Sequence, residues 1–594
     1  MKFVRKATSL VATFALLLLG ISVAEADQYE KPAASTILNG TTLITIEERA
    51  FSHSIRKGLT LIDGVGYDES FACETFLEDR EVCNLATPDM QFSAFNVLPV
   101  CESLDQENCI ESVTFTDTTT GRSSTGTVLP LVEGVSYPAV PEINLHYGAS
   151  AAGLWRVEGF ANSAGSETYA VQVFERQNAT SRTRRFETSE VNISVVPYYT
   201  KFGSYPKREV GESLDVVGKT QVFEMGPGED CVWFQEGECG KRAAFSGSPE
   251  ISVVVRYSKE VNGWFRGRLT ETQVAVEDFS TSNYRVTVSG KPVEVPRFAV
   301  YASRDNTPKI IEDMLPYGSG GSGQLYEAGS QKGAFAMDGF SNRPYDILEA
   351  YRETVNDSAF GVSSLWSIES FSLYENQECF QTADGLIGIV TTNSTAFEGT
   401  EPSFDSGYLS YKVAGLHYAP DGETVNEGRY DLVMRSDVAR CLYGFKNAPV
   451  SATVSVVGEM GEEKVATTIV SEDDGWLRLA AYGFTFSEKE IQVQIKQSQM
   501  KTLNPFMGSR TSLTTAQKAE IRAVLAKSDG NTKFICTGIR YYQQPMSVNV
   551  MVRKRAKEAC DYAKSINPNF SYWYQTKPTK ARSYAGKVLI VTKG

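Results

Sequence analysis

Few residues in this chain of 594 are equipped for chemistry. It has three histidines, His53, His146 and His417, and ten cysteines: Cys73, Cys83, Cys101, Cys109, Cys231, Cys239, Cys379, Cys441, Cys536 and Cys560. Acyl transfer by a serine triad needs an imidazole held by a carboxylate and set against a hydroxyl. His53 in FSHSIRKG and His146 in NLHYGAS have serines near in sequence, which establishes no such geometry, and both read as structural histidines. HExxH, GxSxG and the phosphate-binding P-loop are missing. The cysteines are even in number and fall in neighbouring pairs, the pattern of local disulfides after export. The pairing expected is Cys73 to Cys83, Cys101 to Cys109, Cys231 to Cys239, Cys379 to Cys441 and Cys536 to Cys560. Structural zinc competes for thiolates, but CxxC is absent and the histidines lie far from the close cysteine pairs. If all ten cysteines are oxidised, no thiol nucleophile remains, and no metal or cofactor is expected.

Carboxylates are plentiful, and a glycosidase needs only two facing each other across a cleft. Glu472-Asp473-Asp474, followed by Gly475 and Trp476, reads as an exposed turn, because Asp and Gly tolerate the backbone a tight turn demands. No DxDxDG calcium loop occurs. Aromatic residues make up 11% of the chain. SYWYQ and GWFRGRL could stack on sugars or partner side chains where exposed, and otherwise fill sheet faces. Near the end stands VRKRAKEACDYAK, residues 552–564, with Arg553, Lys554, Arg555 and Lys557 on a helical pattern. Its plainest reading is a solvated basic face. A guanidinium there could also pair bidentately with a ligand carboxylate.

The elements that must position these residues are mostly strands. EISVVVRYSKEVNGWFRGRL reads as two strands joined in a hairpin at Asn262-Gly263, and NYRVTVSGKPVEVPRF repeats the idea around Ser289-Gly290. KEIQVQIKQ alternates strictly, with Ile491, Val493 and Ile495 on one face. Many short strands between Gly, Asp and Asn turns predict antiparallel β-sandwich-like modules. One helix interrupts them, RPYDILEAYRETV, with Pro344 in its first turn. After residue 500 the texture changes. Thr514 and Gln517 form a capping box ahead of a helix, and strand, helix, strand, strand follow. On the second helix Val548, Met551, Val552, Ala556, Ala559, Cys560 and Ala563 share an apolar face.

The organisation expected is a signal peptide at 1–26, a β-rich domain at 27–205, a β-sandwich-like domain at 206–315, a Gly/Ser-rich linker at 316–343, a helix plus β-sandwich-like domain at 344–500 and an α/β domain at 501–594. The signal peptide rests on Lys2, Arg5 and Lys6 before an apolar run from Val11 to Ile21 and an Ala24-Glu25-Ala26 cleavage site. That run is shorter than a membrane span needs, so no transmembrane anchor is expected after cleavage. Cleavage removes three cations and one anion, which deepens a net charge of −14. An acidic surface repels phosphate backbones, so nucleic acid is an unsuitable partner.

The terminal unit resembles the OmpA-like peptidoglycan-binding domain. Phe506 and Leu513 fit its opening, Gly538 its strand end, Arg555-Ala556 its Arg-Ala pair, Asp561-Tyr562 its helix ending and Val588–Val591 its last strand. The resemblance covers about the last 90 residues and implies that Arg555 meets a carboxylate of the wall peptide. It departs where the family carries an Asp just after the strand-end Gly, since IRYYQQPMS follows Gly538, and Val548 stands where an Asn is expected. The region 370–594, with YDLVMRSDVARCLYGFKNAPVSATVSVV and GWLRLAAYGFTF, is similar to surface proteins of Gram-positive actinobacteria. Together these imply a secreted, non-catalytic cell-envelope protein, structural or binding, whose partners are peptidoglycan, another wall polymer or other surface proteins. The alternative is a carbohydrate-binding or glycan-processing protein acting through its β modules, which predicts a cleft lined by aromatics and carboxylates.

Overall fold

The structure is a computed structural model that describes residues 40–593, apart from breaks of which the longest are 48–61, 73–83, 313–323 and 333–342. The expected signal peptide, His53 and the Cys73 to Cys83 pair lie outside the described residues. The chain is mainly β, with several antiparallel sheets and a terminal α/β unit.

One continuous ladder organises the β body. In order it runs Gln91–Val97, Thr168–Thr180, Glu187–Phe202, Ser367–Phe371, Gly263–Asp278, Leu386–Thr392, Glu427–Arg435, Trp476–Thr485 and Thr467–Asp473. A second sheet pairs Cys109–Thr116, Glu250–Tyr257 and Tyr284–Ser303, and it joins the first because Gly263–Asp278 also pairs with Tyr284–Ser303. Val171, Val173, Ile193 and Val195 of the first sheet share a core with Val253, Val255, Val286 and Val288 of the second. Alternating residues of facing sheets fill such a layer, as in any sandwich. The far half of the ladder packs on a further sheet containing Tyr408–Ala414, Val450–Gly458 and Lys489–Gln497. There Leu432, Met434, Leu477 and Leu479 meet Leu409, Tyr411, Val454, Ile491 and Val493. The helix Arg343–Tyr351 closes a third core, with Ile347 and Leu348 against Ile44, Phe298 and Val300.

Both expected hairpins differ from what forms. Glu250–Tyr257 and Gly263–Asp278 do not pair with each other; each pairs with Tyr284–Ser303. Asn262-Gly263 instead marks a strand start, where the Asn262 side chain accepts the Gly385 N–H at 2.8 Å and the Gly263 N–H reaches the Gly385 carbonyl at 3.1 Å. Ser289-Gly290 lies within a single strand of 20 residues, where a Cβ on Gly290 would collide with Leu269 and the Thr270 carbonyl. That glycine serves close strand approach, not a turn.

The strands also ignore the boundaries expected near 205, 315 and 343. Cys109–Thr116 pairs with Glu250–Tyr257, Thr41–Glu47 with Tyr284–Ser303, and Glu187–Phe202 with Ser367–Phe371. The expected linker holds Gln324–Gly329, which pairs in parallel with Thr41–Glu47, and Gln331–Lys332, which pairs with Ala396–Glu398. Glycine and serine there do not prevent pairing, because a strand at a sheet edge needs only one partner.

The terminal unit has a four-stranded sheet in the order Met500–Thr502, Val588–Lys593, Lys533–Tyr541, Ser571–Thr579, the last pair parallel. Helices Thr515–Leu525 and Met546–Ile566 pack on it through Ile521, Val524, Ala556, Ala559 and Ala563 against Phe534, Val588 and Ile590. Thr514 caps the first helix with Gln517 in the reciprocal box. Gly538 is required by contact: a Cβ there would strike the Val552 carbonyl of the long helix.

Candidate binding sites

Four cystines stand where the spacing placed them: Cys101–Cys109, Cys231–Cys239, Cys379–Cys441 and Cys536–Cys560. Two tie short loops or hairpins. Cys379–Cys441 joins two short helices, and Cys536–Cys560 fastens a central strand to the long terminal helix.

Arg555 does not belong to a solvated face. Arg553, Lys554 and Lys557 are exposed, but Arg555 is 2% exposed. Its Nε donates to the Arg510 carbonyl and its Nη1 to the Gly586 carbonyl, both at 2.8 Å, and its Nη2 donates to the Gly508 carbonyl. The guanidinium lies over the Phe506 ring, 4.8 Å from its centroid. Among the described residues no carboxylate pairs with it, and burial pulls its pKa below the usual arginine value. Arg555 thus clamps two loops to the helix. The signal was present in the spacing: Val552, Arg555, Ala559 and Ala563 fall on one helical stripe, and position 555 is within it. The aromatics of SYWYQ divide by face, Tyr572 and Tyr574 half-buried and Trp573 58% exposed, whereas Trp264 and Phe265 of GWFRGRL are buried.

Of the described histidines His146 is buried and His417 half-buried. His417 Nδ1 contacts the Phe486 carbonyl at 3.2 Å. His146 Nδ1 meets Glu175 Oε2 at 2.7 Å, with Glu175 fully buried. Gln177 stands beside the pair, its Oε1 accepting from the His146 backbone N–H and from Asn96. Burial, then the nearby Glu175 charge, pushes the Tyr257 phenol far above its ordinary value. A carboxylate-oriented imidazole is half of a triad, but no hydroxyl nucleophile is hydrogen-bonded to His146 Nε2 among the described residues.

The feature with the most chemistry was not legible in any motif. An open cleft of about 720 Å³ forms where the ends of five body strands converge. Its lining takes in Glu260, Val276 and Asp278, then Tyr284, Asp384 and Leu386, and then Arg435, Ser436, Asp437 and Arg440. The turn Asp474-Gly475 and Trp476 complete it. That turn is the one read from Glu472-Asp473-Asp474: Asp474 and Gly475 have φ of 45° and 81°, the left-handed pair of a tight hairpin, and Asp473 pairs across to Trp476.

Arg435 grips Asp437 with two nitrogens, at 3.0 Å through Nε and 2.5 Å through Nη2, and donates its Nη1 to the Asp384 carbonyl. Burial would raise the Asp437 carboxyl, but Arg435 outweighs it and holds the pKa below the usual aspartate value. The Asp437 hydrogen bond in turn raises Arg435, with Glu260 and Asp384 adding to it. Arg440 is paired with Glu472. Glu260 lies hard against Gly385, whose φ of 75° and missing Cβ both matter, since a side chain there would strike the Glu260 carboxylate.

Among the described residues no helix is long and apolar enough to cross a membrane, and no group of three His, Cys, Asp or Glu is placed to hold a metal. Compared with protein-family models, characterised proteins and solved structures, the chain matches none.

Proposed function

We propose that this chain is an exported cell-envelope protein with a non-catalytic binding role, and that wall polymer is recognised by the cleft of its β body. The observation that carries this is the cleft's lining: Trp476 and Tyr284 stand half-exposed beside Glu260, Asp278, Asp384 and Asp474. Sugar recognition uses this combination, an aromatic face for the apolar side of a pyranose and carboxylates for its hydroxyls. The cystines agree with an oxidising compartment. A second reading places wall contact in the terminal unit at Arg555. Against it, three of the guanidinium's donors already serve the chain's own carbonyls, which favours a clamping role for that residue.

Sedimentation of the mature full chain with peptidoglycan sacculi tests both readings. The expected outcome is that the parent protein pellets with sacculi, that Trp476→Ala stays in solution while still melting cooperatively, at a temperature lowered by the packing it loses against the body core, and that Arg555→Lys still pellets. Retention by Trp476→Ala together with loss by Arg555→Lys would move the contact to the terminal unit. A parent protein that does not pellet at all would remove the polymer and leave other surface proteins as the partners.

A further inference from the structure

Resting on that reading, we infer that the ligand of the cleft is a saccharide carrying free amines, a cationic amino-sugar oligomer, not a neutral or phosphate-bearing polymer. The lining brings five carboxylates, Glu260, Asp278, Asp384, Asp437 and Asp474, against two guanidiniums. Both guanidiniums are already paired with carboxylates, Arg435 with Asp437 and Arg440 with Glu472, and of Arg440 only the buried Nε is left without a hydrogen-bond partner among the described residues. What remains facing the ligand is negative charge in a concave site, where low-dielectric walls concentrate the field and draw in cations. A stretch of polymer with net negative charge would be repelled by the same field, so within a wall polymer the cleft takes an amine-bearing stretch.

A second observation points to a polar ligand. Ser436 lines the cleft, is 4% exposed, and its Oγ has no hydrogen-bond partner among the described residues. A buried hydroxyl left without a partner costs free energy that a ligand hydroxyl or amine would recover. The half-exposed faces of Trp476 and Tyr284 suit both the apolar side of a sugar ring and an ammonium, which is attracted to an aromatic face. A bare divalent cation fits less well, since among the described residues the carboxylates do not gather into a metal-holding group. The volume of about 720 Å³ lies within the range of about 300–1,000 Å³ that small-ligand sites occupy.

The test is calorimetric titration of the full mature chain with three probes: a chitosan tetramer, which has free amines, its fully N-acetylated counterpart, and pentalysine. The chitosan tetramer should bind roughly tenfold more tightly than the acetylated one, and its advantage should shrink as salt rises and screens the charges. Asp474→Asn is the informative variant. Asn-Gly forms the same left-handed turn at least as well as Asp-Gly, so the fold is kept while one charge is removed, and chitosan affinity should fall about threefold with a shallower salt dependence. Equal binding of the two tetramers would overturn the charge inference and leave the cleft a sugar site. Binding of neither would overturn the inference, and loss of sacculus binding alongside would overturn the reading beneath it. Tighter binding of pentalysine than of chitosan would overturn it in favour of a basic peptide partner.

Discussion

Asp431 is a carboxylate placed where a charge is hard to keep. It is 1% exposed and accepts from Arg478 at 2.9 Å, from the Tyr482 hydroxyl at 2.8 Å, from Thr270 Oγ1 and from the Glu271 N–H. Glu271 sits in a bulge of its strand with φ of 55°, and Asp431 receives the N–H that the bulge takes out of the ladder. Burial raises the Asp431 pKa above the usual 3.8, and the bonds from Arg478 and Tyr482 only partly oppose it. Since the folded value is the higher, the folded chain holds that proton more firmly than the unfolded one. The residue's contribution to stability is therefore full below the ordinary aspartate value and is lost as pH rises through the raised one. Asp431→Asn cannot lose it. The melting temperature of the variant minus that of the parent should climb as pH rises above the ordinary aspartate range; a flat difference would mean that Arg478 offsets the burial completely. Arg555 makes the complementary case at this scale. Its place on the apolar stripe was readable from Val552, Ala559 and Ala563, yet its charge argued for solvent, and only the carbonyls of Gly508, Arg510 and Gly586, remote in sequence, resolve the conflict.

At the scale of elements, the disulfides differ in what they hold. Cys379–Cys441 closes a separation of 62 residues and Cys536–Cys560 one of 24, while Cys101–Cys109 closes only 8. In the loop-entropy account, removal costs about 4, 3.5 and 2.5 kcal/mol respectively. Replacing each pair by alanines and following urea unfolding should reproduce that order. The short pair should fall below its estimate, because Arg256 already holds the same loop through the carbonyls of Ser103 and Leu104, both at 2.9 Å. If the 8-residue pair proves the costliest, native contacts and not chain entropy set the stabilisation. Cystine pairing was legible because near neighbours in sequence were neighbours in space. So was the capping box at Thr514, whose two partners are three residues apart. The hairpins at Asn262-Gly263 and Ser289-Gly290 were misread for the reverse reason: the glycines answer to Gly385 and to Leu269, which no local window contains.

The same division between local and distant information runs through the whole molecule. Alternation within single strands, such as Ile491 and Val493 buried around a half-exposed Gln492, announces a mainly β chain. Which strand lies beside which is decided by faces that meet across hundreds of residues, so neither the body's boundaries nor the cleft, built from 260, 278, 384, 435 and 474, has a continuous signature. This has a consequence for how the chain comes apart. A fragment spanning 206–343 would contain Glu250–Tyr257, Gly263–Asp278 and Tyr284–Ser303 but lack Cys109–Thr116, Ser367–Phe371 and Leu386–Thr392, which satisfy their outer edges. Unpaired strand edges recruit one another, so that fragment should aggregate when expressed alone. Residues 500–594 keep every strand partner of their sheet, their helices and the Cys536–Cys560 bond, and should be soluble and cooperatively folded. In calorimetry the full chain should melt in two transitions, the smaller coinciding with that of the 500–594 fragment. A soluble, cooperatively melting 206–343 fragment would mean that its strands can satisfy one another, and the long ladder through Gly263–Asp278 would then be a docking surface between separate modules instead of the shared wall of one body.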